Sequence, residues 1–262
     1  MIPFFDHLDK RREHLWDSVE YRPGQYLDLW MPESAYHAPV MMWIPGGGWV
    51  WGDRRYQGYA LMDHLVKRGW ICASIGYRTA PKNHWPAPFE DVQAAWQWVI
   101  DHAWEYGGGD FTAVAGASAG GHMASLLGLT SNNQPDAVVS LYGVYDWTSR
   151  SLDHWLINRF VETVVVGSRD RETLKAASPI RLVHEDAPPF LIVHGTGDAI
   201  TPVSGARKFE SRLATTSAAP VQYHEIPGAV HGFDLVHAGQ TRETVSVVDE
   251  FLTSIRQHRR AA

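Results

Sequence analysis

The chain has 262 residues, 45% of them hydrophobic, and carries 23 Lys and Arg against 29 Asp and Glu, a formal net charge of -6. That length and composition fit one large globular domain with a sizeable buried core. The acidic balance, with no basic run or recognition motif, argues against nucleic acid as the main partner, and no apolar run reaches the length needed to span a membrane. In chain order, the first 21 residues mix acids and bases from Asp6 onward. They lack the basic start and apolar stretch of a signal peptide, so a cytoplasmic location is expected. "YLDLWM" (26–31) and "APVMMWI" (38–44) are predicted strands, and "YQGYALMDHLVKRG" (56–69) has helical spacing. "WICASIGY" (70–77) is a strand holding the lone Cys72, which rules out an intrachain disulfide and is expected to be a buried structural thiol. A long helix over 88–107 ends at glycines. "FTAVAG" (111–116) is a strand and "AGGHMASLLGLT" (119–130) a helix. "DAVVSLYG" (136–143) and "FLIVHG" (190–195) are further strands. A helix is predicted over 201–213, with Thr201 as its cap and Pro202 in its first turn. "PVQYHEIP" (220–227) is a strand and 239–257 a closing helix, while 144–188 is the least regular stretch. Strands alternating with helices predict a mainly parallel sheet covered on both faces.

Ser118 sits at the end of one such strand, in Gly116-Ala117-Ser118-Ala119-Gly120. A strand that reverses sharply into a helix holds its middle residue in a strained conformation and needs small neighbours, which is the G-x-S-x-G turn. The helix that follows aims free N–H groups and a positive dipole end at the serine. No Gly-Lys-Ser/Thr follows, so a phosphate loop is disfavoured.

A serine hydroxyl is a poor nucleophile without a base in hydrogen-bond reach and a third group to orient that base. With 14 histidines, position must decide. His231 lies in the loop after the last strand and Asp198 in the loop after the strand before it, both at the sheet edge that holds Ser118. Asp146 is the rival acid. His194 is read as shaping its own turn, His122 as packing or bonding locally, and His224 as a strand residue. "IPGGGWVWGD" places Gly46, Gly47 and Gly48 directly after a strand, where backbone amides can face a developing oxyanion together with that of Ala119. Trp49 and Trp51 beside them either wall a pocket or clamp the loop, and Trp49 is taken as a substrate contact. No zinc spacing or H-E-x-x-H is present, so neither metal nor cofactor is expected.

Taken together, "PGGGWVWGD" (45–53), "YRTAPKNHWPAPFEDVQAAWQWV" (77–99), "GASAGGHMA" (116–124) and the later "FLIVHGTGDAITPV" and "PGAVHGFD" resemble the α/β-hydrolase superfamily, and within it the bacterial hormone-sensitive-lipase-like carboxylesterases. The resemblance implies the α/β-hydrolase fold, with Ser118 as nucleophile, His231 as base, Asp198 as orienting acid, and Gly47, Gly48 and Ala119 as oxyanion donors. It implies a serine carboxylesterase acting on short or compact small-molecule esters, without a cofactor. Two departures stand out: Pro45 replaces the family's histidine before the glycines, and Ala117 its aspartate before the serine. The short chain implies a single domain with a small cap drawn from 1–25 and 146–188. An arylformamidase-type amide hydrolase on the same triad, a non-catalytic binding protein of the same fold and a lipid-surface enzyme are the alternatives. Association into a homo-oligomer is left open.

Overall fold

A computed structural model of the protein describes residues 13–261. Eight strands form one sheet: β1 (Leu15–Arg22), β2 (Gln25–Trp30), β3 (Ala38–Ile44), β4 (Ile71–Ile75), β5 (Gly108–Ala117), β6 (Ala137–Leu141), β7 (Phe190–Gly195) and β8 (Val221–Ile226), in the spatial order β1-β2-β4-β3-β5-β6-β7-β8. The strands from β4 to β8 in that order run parallel, and β1 and β2 join antiparallel. The helices are α1 (Tyr59–Lys67), α2 (Ala87–His102), α3 (Ala119–Thr130), α4 (Trp155–Phe160), α5 (Arg171–Ala176), α6 (Val203–Thr216), α7 (Phe233–Val236) and α8 (Ala238–Ala261).

The apolar strands explain why both faces are covered. Along β3 every residue is buried, and side chains alternate between two cores. Val40, Met42 and Ile44 join Val92, Ala95, Met123, Leu127, Phe209 and Leu213 of α2, α3 and α6. Met41 and Trp43 join Met62, Leu65, Val248 and Leu252 of α1 and α8. Cys72 is fully buried within this second core, and burial alone pushes its thiol well above the ordinary range.

Two differences from the expected elements have clear causes. Residues 15–22, assigned from the sequence to a cap, form β1 at the sheet edge; residues 1–12 lie outside the described residues. Their pattern is weak because an edge strand buries little on either face, and only β2 pairs with them. The overlooked signal was Pro23-Gly24 between Arg22 and Gln25, with Gly24 at φ 75°, a tight-turn pair. Thr201 is not a helix cap: α6 starts at Val203 with no side-chain cap, because the Thr201 hydroxyl is used elsewhere.

The stretch 146–188 lies between β6 and β7 as an insertion of short turns: α4, a π turn over Val161–Val165, α5 and single 3₁₀ turns before and after. It reaches the loop after β3, since Phe160 stands 3.6 Å from where a Cβ on Gly48 would lie. It also touches the segment before α2, where the Trp85 amide donates to Val165 O. Among the described residues no helix is long and apolar enough to cross a membrane.

Candidate active site

The sheet reverses its winding direction between β3 and β5, since β4 lies to one side of β3 and β5 to the other. Ligands gather at such a switch point, outside the carboxyl ends of the strands. There Ile44 pairs with Gly116, bringing the loop after β3 beside Ser118. On the other side Gly195 pairs with Ile226, so the loops after β7 and β8 leave level with each other. Gly197 N then donates to Ala229 O at 3.0 Å and ties them together.

Ser118 occupies the turn from β5 into α3 with φ 56° and ψ -118°, a conformation that non-glycine residues rarely adopt. Its amide is fixed to Leu141 O of β6 at 2.9 Å. The flanking glycines are required by contact: a Cβ on Gly116 would lie 2.4 Å from Gly120 O, and one on Gly120 would lie 2.0 Å from Ile44 O. Helix and strands therefore approach closely enough to turn the chain and leave Ser118 half-exposed between the buried Ala117 and Ala119.

The Ser118 Oγ donates to His231 Nε2 at 2.9 Å, and His231 Nδ1 donates to Asp198 Oδ2 at 2.7 Å. Three residues separated by up to 113 positions thus form one hydrogen-bonded chain. Asp198 is a buried carboxylate with every oxygen occupied. Oδ1 accepts from the amides of Ile200 (2.9 Å) and Thr201 (2.8 Å), and Oδ2 from the Thr201 hydroxyl (2.8 Å) as well as His231. Burial pushes its pKa up, but the His231 hydrogen bond and charge, with the Thr201 amide and hydroxyl, hold it below the ordinary carboxylate value. The sequence missed Thr201 in this role; its signal was the Asp-x-x-Thr spacing, in which a carboxylate accepts from the backbone just after it. The Thr201 oxygen also stands 3.1 Å from His231 Nδ1.

Tyr142 was also missed. It lies just past β6 with φ 39°, its ring edge-on to the His231 imidazole at 4.8 Å, and its hydroxyl donates to Asp234, three residues beyond His231. No sequence signal marks it, because the contact depends on two loops meeting.

Asp146 is engaged elsewhere. Its Oδ1 accepts from the Thr148 amide and hydroxyl at 2.8 and 2.6 Å, with Arg181 at 3.9 Å. His194 is buried and donates to Thr201 O at 2.7 Å, shaping its turn, and His224 pairs with Glu243 at the surface.

The glycine loop is held without the family's histidine. The Tyr77 hydroxyl donates to Pro45 O at 2.9 Å, and Gln57 Oε1 accepts the Gly46 amide at 2.6 Å. Gly47 and Gly48 take φ of 128° and 60°, and among the described residues their amides have no protein acceptor. The Ala119 amide is at the first position of α3, where no intrahelical acceptor exists. Gly46, the neighbour of Gly47 in the loop, lies against the serine: a Cβ on it would stand 3.1 Å from Ser118 Cβ.

Trp49 is a correction. It is only 1% exposed, too buried to touch a substrate. Its indole N–H donates to His122 Nδ1 at 3.3 Å, and its ring meets those of His122 and Trp147 edge-on. His122 in turn donates from Nε2 to Ala177 O at 2.7 Å and stacks on Trp147 at 4.6 Å. Burial pushes its pKa down to about 3, so it is neutral with one nitrogen donating and one accepting. Trp49 is thus the loop's clamp, joined through α3 to the insertion.

The architecture is that of the α/β-hydrolases. The sequence profile of the BD-FAE family matches residues 27–213, and the chain belongs to that family. It is 42% identical over 259 residues to the esterase LipC of Mycobacterium tuberculosis, covering 90% of this chain and 64% of LipC. It is 40% identical over 283 residues to the esterase LipQ of the same organism, covering 100% of this chain and 67% of LipQ. The chain therefore spans about two thirds of the length of these curated relatives. Among solved structures, esterase 2 of Thermogutta terrifontis phosphonylated by sarin shares the fold with a TM-score of 0.80 at 22% identity, over 91% of this chain and 94% of that one.

Proposed function

We propose that the chain is a serine carboxylesterase that hydrolyses short or compact small-molecule esters through an acyl-enzyme. The observation that carries this reading is the unbroken hydrogen-bonded chain from Ser118 Oγ through His231 to Asp198. His231 Nε2 takes the Ser118 proton as Oγ attacks the ester carbonyl. The oxygen that gains charge is met by the amides of Gly47, Gly48 and Ala119. The imidazolium, paired with Asp198, then gives its proton to the departing alcohol. Water attacks the acyl-enzyme with His231 again as base, the acid leaves, and Ser118 recovers its proton. None of these steps requires a cofactor.

Kinship with proteins named esterases supports the reaction class. The insertion over 146–188 acts in this reading as the small cap, because Phe160 stands against the glycine loop and narrows the space over it. The test is a series of p-nitrophenyl esters of rising acyl length, run on the protein and on Ser118→Ala. Hydrolysis should favour short acyl chains and fall by about 10⁴ to 10⁶ in the variant. Normal turnover by a folded Ser118→Ala protein would reject the proposal. Faster cleavage of aryl formamides than of matched aryl esters would replace it with the amide-hydrolase reading.

A further inference from the structure

The insertion contains a cavity of about 480 Å³ that the proposed reaction does not use; none of Ser118, Asp198 and His231 lines it. Its walls carry four arginines, Arg150, Arg159, Arg169 and Arg171, against one acid, Glu162. That is an excess of three positive charges (four minus one) within a chain of net charge -6. Glu162 uses a single oxygen for two of them, 3.8 Å from Arg159 and 3.4 Å from Arg169. Arg150 and Arg171 have no acidic partner among the described residues. Like charges gathered without counter-charge repel one another, and an anion relieves that repulsion.

The wall also carries an aromatic surface. Trp155 lines the same cavity and is 60% exposed, so its ring is open to the organic part of a ligand held by the arginines.

We propose that this cavity binds a small organic anion, with its carboxylate or phosphate group on Arg150 and Arg171 and its organic body against Trp155. Guanidinium groups match both anions through paired N–H donors. The cavity of about 480 Å³ is larger than a bare inorganic anion fills, and Trp155 and Leu174 on its wall give an organic anion contact that inorganic phosphate lacks. The cavity adjoins the glycine loop, since Trp147, which lines it, packs on Trp49 at 5.1 Å. The binding stands independently of the esterase reading.

Isothermal titration of the full chain with L-malate, with glycerol 3-phosphate and with inorganic phosphate tests the proposal. The expected result is saturable 1:1 binding of malate or glycerol 3-phosphate, tighter than that of inorganic phosphate. The stronger of the two ligands decides between carboxylate and phosphate. Arg150→Ala/Arg171→Ala should weaken binding by about tenfold or more, as expected for loss of charge-assisted hydrogen bonds. Arg212→Ala on α6, an exposed arginine away from the cavity, should not. Circular dichroism of the double variant should match that of the parent protein, which reports that it is folded. No saturable binding of either organic anion, or equal weakening by Arg212→Ala and the double variant, would overturn the proposal.

Discussion

Asp198 and His122 both show how a buried group's partners decide its charge. Asp198 stays ionised because four donors face it. Removing its charge while keeping its shape, as in Asp198→Asn, should lower kcat by about 10⁴, the scale seen when an orienting acid is neutralised. Asp146→Asn should change kcat little, because Asp146 serves only a local turn and Arg181. Steady-state kinetics of the two variants checks the ranking. His122 shows the opposite case. Its folded pKa, pushed down to about 3 by burial, lies below the ordinary 6.5. Between those values the unfolded chain binds a proton that the folded chain refuses. Stability is therefore fully present above pH 6.5 and falls as the pH drops toward 3, with a slope approaching about 1.4 kcal/mol per pH unit from this group. His194, also pushed down by burial, adds to the same trend. Urea titrations across that range should show a shallower slope in His122→Gln than in the parent protein; equal slopes would contradict the assignment.

At the scale of elements, the glycine loop depends on ties that lie outside it. Gly47 cannot take a side chain, since a Cβ would stand 2.0 Å from Trp51 O. Gly47→Ala must therefore reshape the loop, and kcat should fall by about 10² or more, the cost of losing one oxyanion donor. Tyr77→Phe removes only the hydroxyl that holds Pro45 O, and a milder loss of kcat with little change in KM is expected. Circular dichroism with initial rates separates both effects from unfolding. The edge strand β8 matches its predicted span although only Ile226 of it is buried. The predicted elements are clearest where burial is complete: β3, β4, β6 and β7 are buried throughout, and α3 lies between Ala119 and Thr130 as its pattern requires. They failed where a residue's partner was distant. An edge strand such as β1 has half-exposed faces and no clear period. Thr201 has the composition of a helix cap, and only the position of Asp198 redirects its hydroxyl. Trp49 beside glycines suggested a pocket wall, and only the fold shows His122 beneath it. Ser118, Asp198 and His231 could be singled out because each follows a predicted parallel strand, and such strands place their loops at one edge.

Over the whole molecule, loops from the ends of β3, β5, β7 and β8 converge on that edge, and residues far apart in the chain come within hydrogen-bond distance. The two cores and the antiparallel pair at the edge hold the strands that carry those loops. The reaction proposed here depends on a single activated oxygen. The most direct measurement is peptide mass spectrometry after brief exposure to diethyl p-nitrophenyl phosphate, on the parent protein and on His231→Ala. One diethylphosphoryl group on the peptide containing Ser118, formed rapidly in the parent and far more slowly without the imidazole, is the expected result. A label on another residue, or labelling of Ser118 at the same rate in both proteins, would contradict the account.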